Sequence, residues 1–119
     1  MIRVALLDPH PVVHKGFKSF FRKTEHIQVV GTFSQANDLF HFLETNKIDA
    51  LILEMELEGD SAVQVIKWVK SKLPETAIII YTSLPQSIYG VSLLKAGAAG
   101  YLSKQVSRKV MLEAIEKVV

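Results

Sequence analysis

The chain has 119 residues, 49% hydrophobic and 22% charged, which suits one globular domain and excludes a disordered or fibrous chain. Its formal net charge of +2 is too weak to mark a nucleic-acid surface by itself. Cysteine is absent, so disulfides and thiolate chemistry are excluded and a cytoplasmic address is expected.

The first element is "IRVALL", short, nearly all apolar and bounded by "DPHP", which reads as a strand buried on both faces. Val13, Phe17, Phe20 and Phe21 follow at helical spacing and form one apolar face. "QVVGTF" is β-rich but mixed, as an edge strand would be. Ser34 is the expected cap of a second helix with Ala36, Leu39, Phe40 and Leu43 inward. "DALIL" is the most apolar strand candidate. Asp60 or Ser61 then caps a helix facing inward through Ala62, Val65, Ile66 and Val69, which ends before Pro74. "AIIIY" is another buried strand. Pro85 fits the first turn of a helix running to about Ala96, with Gly97 as its C-cap. "GYL" is short enough for an edge strand. Ser107 caps the last helix, whose face is Met111, Ala114, Ile115 and Val118.

Strands and helices thus alternate through the whole chain, which implies an α/β domain with a parallel sheet covered on both faces. Right-handed crossovers and five strands favour the flavodoxin-like (βα)5 order 2-1-3-4-5. No apolar run approaches the roughly 18 residues of a membrane span, and "MIRVALLDPHP" lacks the order of a signal peptide. The final residues still read as helix, so either the helix ends the protein or a longer protein continues beyond it.

In such a sheet, ligands bind outside the carboxyl ends of the strands. Asp8 follows the first strand, Glu54 the third, Thr82 and Ser83 the fourth, and Ser103 and Lys104 the fifth. Two carboxylates, a hydroxyl and an ammonium should converge at one rim. That set suits phosphoryl handling: a carboxylate can be an acyl-phosphate nucleophile, Mg²⁺ takes carboxylates and phosphate oxygens, and a lysine neutralises phosphoryl charge.

"VALLDPHPVVHKGF", "VVGTF", "DALILEMELEGDS", "AIIIYTS" and "LKAGAAGYLSKQVS" stand in the order and spacing of the receiver domain of two-component response regulators. The chain resembles that family over essentially all of residues 1–119, and "HPVVHKG" with "VVG" is most similar to its NarL/LuxR subfamily. The resemblance implies a regulatory, non-enzymatic receiver, a C-terminal helix-turn-helix DNA-binding domain outside this chain, a sensor histidine kinase as a partner, DNA through the output domain, and no membrane. It also implies that Thr82 is the switch hydroxyl, Tyr101 the switch aromatic, and Lys104 the essential lysine. Two positions depart from the pattern. The family's second acidic residue after the first strand, its main direct Mg²⁺ ligand, is Pro9 here. The phosphoacceptor aspartate position is Glu54. The metal set implied by the resemblance is therefore reduced to Asp8, Glu54 and the backbone carbonyl of Glu56, with Mg²⁺ weakly bound or absent and no other cofactor.

Glu54 is one methylene longer than aspartate, about 1.5 Å, and a misplacement of about 1 Å can cost roughly 10²-fold in a reaction that needs close alignment. With Pro9 removing a metal ligand, little or no phosphorylation is expected. Three roles are open to Glu54. It can imitate the phosphorylated state by reaching Lys104 and Thr82, with a charge near −1 against roughly −1.5 to −2 for a phosphoryl group. It can form a strand-end ion pair with Lys104 in a static dimerisation module. Or residual phosphorylation, or another ligand at the rim, can still switch the domain.

Other residues have plainer readings. His10 and His14 read as surface residues at a helix start, with no acidic or third histidine ligand evident near them. Glu58 and the Glu56 side chain read as solvated loop, and Trp68 as a partly buried residue off its helix's core face. Tyr89 and Leu93 on the fourth helix, and Leu112 and Val119 on the fifth, fall outside their apolar stripes and suggest partner contact in a homodimer; helices one and five are a second candidate dimer face. Two other function classes remain. A flavin-binding enzyme would want a Ser/Thr/Gly-rich phosphate loop after the first strand, which "DPHPVVHKG" lacks. A stand-alone interaction module with no DNA-binding output is the alternative that the sequence beyond Val119 would decide.

Overall fold

The computed structural model describes all residues 1–119. Five strands, β1 (Ile2–Leu7), β2 (Ile27–Phe33), β3 (Ala50–Leu53), β4 (Ala77–Thr82) and β5 (Gly100–Ser103), alternate with α1 (Pro11–Phe21), α2 (Ala36–Leu43), α3 (Ala62–Lys72), α4 (Gln86–Ala96) and α5 (Arg108–Val118). The strands form one parallel sheet in the order β2-β1-β3-β4-β5. This is the flavodoxin-like arrangement expected from the alternating periods.

Successive side chains of a strand point to opposite faces, so each apolar strand feeds two cores. Ala5, Leu7, Leu51, Leu53, Ile78 and Ile80 pack under α2, α3 and α4. Val4, Leu6, Ala50, Ile52, Ile79 and Tyr81 pack under α1 and α5, against Phe17, Phe21, Met111 and Ile115. Each fully buried Leu, Ile or Phe contributes about 1.5–3 kcal/mol relative to exposure. The central strands β1, β3 and β4 therefore hold the rim rigidly from below. β2 is less regular: Val4 pairs with Val29 and Ala5 with Gly31, so the pairing steps over one residue.

The caps follow local chemistry. Ser61 and Ser107 accept from the amides of Gln64 and Val110 at the starts of α3 and α5. Gly97 ends α4 at φ 126°, a conformation that a side chain disfavours. Ser34 is not a cap. Gln35 holds that position without a side-chain bond, and Asp38 supplies the negative charge in the first turn of α2. Pro85 stands one position before α4, where its carbonyl accepts from Ile88 and Tyr89.

The apolar residues expected to be left over are redistributed. Leu93 is buried, and Tyr89 and Leu112 pack on the two cores. The exposed apolar residues of α4 are instead Ile88, Val91 and Leu94. Val119 is exposed, as expected. Trp68 is half-buried and stacks on Phe40 of α2 with ring centroids 4.1 Å apart.

Candidate functional site

The parallel ladder continues one residue past the strand ends and sets the rim. The Asp8 amide donates to the Phe33 carbonyl, the Glu54 amide to the Leu7 carbonyl, and the Lys104 amide to the Thr82 carbonyl. Asp8 and Glu54 therefore rise side by side from β1 and β3, while Lys104 enters from beyond β5.

Asp8 is fully buried and Glu54 is 3% exposed. A buried carboxylate needs compensating partners, and Lys104 provides them for both. Its ammonium lies 2.5 Å from Asp8 Oδ2 and 2.7 Å from Glu54 Oε1. The remaining oxygens are also engaged. Asp8 Oδ1 accepts from the His10 amide at 2.8 Å and faces His10 Nδ1 at 2.9 Å. Glu54 Oε2 accepts from the Glu56 amide at 3.2 Å. Lys104 also lies over the Tyr81 ring, 5.9 Å from its centroid.

Burial by itself would lower the Lys104 pKa, but the hydrogen bonds and charges of Asp8 and Glu54 outweigh it and hold the pKa above the ordinary lysine value. Burial raises the Tyr81 phenol, with Asp8 adding to the rise and Lys104 opposing it. Burial, then the nearby Glu54 carboxylate and Tyr89, raise the Tyr101 phenol.

The other expected site residues fall into two groups. Thr82 is fully buried at the same rim, but its hydroxyl accepts from the Leu84 amide at 3.4 Å and makes no hydrogen bond to Glu54 or Lys104. Tyr101 packs on the α2–α4 side of the core, and its hydroxyl donates to the Leu84 carbonyl at 2.8 Å, in the turn just after Thr82. Ser83 and Ser103 are exposed, and the Ser103 hydroxyl accepts from the Gln105 amide. Glu56 is exposed and meets the cluster through its amide.

His10 and His14 belong to the cluster; the sequence reading placed them at a helix start with no acidic ligand evident near them, although Asp8 stands two residues before His10. His14 Nε2 lies 2.6 Å from the Asp8 carbonyl, and His10 grips the Asp8 carboxylate. The available signal was the Asp-x-His spacing at a strand end, where a turn folds the histidine back onto the carboxylate.

As arranged here, these residues do not fit the divalent cation that the resemblance implies. All four oxygens of Asp8 and Glu54 already meet donors, the Lys104 ammonium stands between the two carboxylates, and Pro9 offers no oxygen from its side chain. A hard cation needs oxygens it can draw from water. No group of three or more His, Asp or Glu side chains is placed to hold a metal ion.

Comparison with known proteins agrees with this architecture. Residues 4–116 match the response regulator receiver domain. The chain is 30% identical over 114 residues to the uncharacterized transcriptional regulatory protein YxjL of Bacillus subtilis (strain 168), covering 96% of this chain and 52% of that protein. It is 29% identical over 118 residues to the response regulator UvrY of Escherichia coli (strain K12), covering 99% of this chain and 54% of that protein. The chain thus spans about half the length of the curated relatives it matches. Among solved structures, the isolated receiver domain of RcsB from Salmonella enterica serovar Typhimurium, in the presence of the phosphomimetic BeF3⁻, superposes with a TM-score of 0.86 at 25% identity, over 98% of this chain and 88% of that one. A LuxR-family response regulator from Aurantimonas sp. SI85-9A1 superposes with a TM-score of 0.89 at 22% identity, over 98% and 83%, which speaks for the fold. With the family match across nearly the whole chain, and the same order of strands and helices, this chain belongs to the response regulator receiver domain family of two-component systems.

Proposed function

We propose that this receiver works without phosphorylation at the strand-three position, because Lys104 occupies the place between Asp8 and Glu54. The observation that carries this reading is the double ion pair at 2.5 and 2.7 Å, in a rim where both carboxylates are buried. An acyl-phosphate step would require Glu54 to leave Lys104 and attack phosphorus without a metal to offset the developing charge. Instead, Glu54 supplies a fixed negative charge to Lys104. The tether of Tyr101 to the Leu84 carbonyl supports a receiver held in one state, with Glu54 as a partial substitute for a phosphoryl group. Thr82 takes no part in that substitution, since its hydroxyl is turned to Leu84.

In this reading the domain is a non-enzymatic, cytoplasmic regulatory module, and Mg²⁺ binds it weakly. It forms homodimers, answers to a sensor histidine kinase by docking and not by phosphotransfer to Glu54, and controls a C-terminal DNA-binding domain. The relatives support the output domain: one is described as a transcriptional regulatory protein, and RcsB has been solved bound to a promoter. No helix is long and apolar enough to cross a membrane.

The test is incubation with Mg²⁺ and acetyl phosphate, followed by intact mass and treatment with hydroxylamine, which cleaves acyl phosphates. The expected result is no hydroxylamine-sensitive phosphoryl adduct. Near-stoichiometric adduct on Glu54 would overturn the reading. A gene that continues past Val119 into a helix-turn-helix would support the DNA-binding output, and one that stops there would remove it.

A further inference from the structure

One reactive group at the rim takes no part in the Lys104 ion pairs. His10 stands at the N-cap of α1 with its side chain 62% exposed, while the Asp8 carboxylate it touches is fully buried. Of the His10 nitrogens, Nδ1 and the backbone amide are engaged, at 2.9 and 2.8 Å from Asp8 Oδ1, and Nε2 makes no hydrogen bond. A carboxylate oxygen that already receives the His10 amide, and whose twin receives the Lys104 ammonium, acts as an acceptor. Nδ1 therefore carries the proton, and the lone pair lies on the solvent-facing Nε2. A buried carboxylate that orients an imidazole through Nδ1–H, and steadies positive charge on the ring, is a known way of preparing Nε2 for chemistry.

The other histidines lack this support. His41 faces the exposed Glu44 at 3.7 Å. His26 presents Nε2 itself to the exposed Glu116 at 3.1 Å, so that nitrogen is the one occupied. His14 is half-buried, with Nε2 on the Asp8 carbonyl. His10 alone combines a buried anionic orienter with a free, exposed nitrogen. It also sits at the start of an 11-residue helix whose first turn holds no acidic side chain, which favours an incoming anion.

We propose that His10 is a phosphoryl-accepting residue whose Nε2 takes the group from a donor with a phosphorus–nitrogen bond, of the phosphoramidate or phosphohistidine class. The Nε2 lone pair attacks phosphorus and forms the new N–P bond as the donor's P–N bond breaks. The donor nitrogen leaves with that bonding pair and a proton acquired from water, as ammonia or as free imidazole. Nothing is oxidised or reduced. The positive charge that develops on the His10 ring is met by Asp8 through Nδ1–H, and the ring can later release its Nδ1 proton to solvent. No metal enters the step. The proposal rests on His10 and Asp8, and it stands or falls separately from the Glu54 reading, because the two adducts differ in stability: a phosphohistidine is lost in mild acid and survives alkali, whereas an acyl phosphate on Glu54 is hydrolysed in alkali.

The experiment is incubation of the whole chain with potassium phosphoramidate, with a time course by intact mass and site mapping under alkaline conditions. One phosphoryl group should appear on His10, acid-labile and alkali-stable, about 10- to 100-fold faster than on His26 or His41, the size of effect typical for loss of an orienting partner. His10→Gln, at an exposed position and with an unchanged circular dichroism spectrum, should lack this fast adduct. Equal rates at His10, His26 and His41, no adduct at His10, or retention of the fast adduct in His10→Gln would each overturn the proposal.

Discussion

Lys104 holds two buried carboxylates with one ammonium, so removing it leaves both anions without their counter-charge. Breaking a buried pair in this way costs about 3–5 kcal/mol. Lys104→Met should therefore lower the urea midpoint strongly. Combining it with Asp8→Asn and Glu54→Gln should recover a large part of the loss, since a fully neutralised cluster has no stranded charge. Equal instability of the single and triple variants would contradict the ion-pair account. The same site sets an alkaline limit. The folded state holds the Lys104 proton above the ordinary 10.5, and the Tyr81 and Tyr101 protons above 10.0. Lys104 thus contributes stability that is complete below its unfolded value and is lost as pH rises through its folded one. The tyrosines add a penalty of the same sign, because the unfolded chain releases their protons first. Stability measured by denaturant should be level in the neutral range and begin to fall near pH 10. Of the site itself, the strand-end rule made Asp8, Glu54 and Lys104 legible, since the ladder dictates where each strand delivers its next residue. Side-chain direction was not legible. The Thr82 hydroxyl chose the Leu84 amide over the carboxylate, and His10 folded back on Asp8. The first outcome depends on turn geometry that residue spacing does not encode, and the second was signalled only by the Asp-x-His spacing at the strand end.

Among the elements, the helices were readable where one apolar stripe meets one core, as in α3, whose inward residues Ala62, Val65, Ile66 and Val69 are all buried. α4 was not readable in this way. It buries only Gly90 and Leu93, and it shows Ile88, Val91 and Leu94 to solvent, so its apolar residues surround the helix with no single stripe. α2 misled for a different reason: a serine in the right place is a cap only if the chain turns there, and the helix begins later. The end of α4 is set by Gly97, whose φ of 126° few side chains adopt and whose added Cβ would come within 3.2 Å of Lys70 and 3.3 Å of Ile66. Gly97→Ala should cost about 1–3 kcal/mol and appear in thermal unfolding as a lower Tm with unchanged secondary structure at room temperature. Ser107→Ala, which removes the α5 cap, should cost about 1 kcal/mol. A Gly97→Ala protein as stable as the parent would show that the left-handed turn is not required.

At the scale of the molecule, the two-sided sheet was legible from strand composition, because strands that feed two cores have no polar side to display. The central apolar strands also explain why the rim carries the chemistry: their polar successors must collect at one end. The sequence also contains two departures from the family pattern at that rim, Pro9 and Glu54, but not how the remaining charges arrange themselves around them. In the structure Lys104 stands between the two carboxylates, and in the proposed function it serves in place of a metal cation. The most direct test of that claim is a Mg²⁺ titration followed by the amide resonances of Glu54, Glu56 and Lys104, with the double variant Pro9→Asp, Glu54→Asp beside the parent. The account predicts no saturable shift in the parent up to about 10 mM, because the carboxylate oxygens are already taken, and a saturable response in the variant, where a second short carboxylate can draw the metal in. Saturable binding by the parent at or below about 1 mM, a range set by what hard-cation sites with so few oxygens achieve, would contradict it.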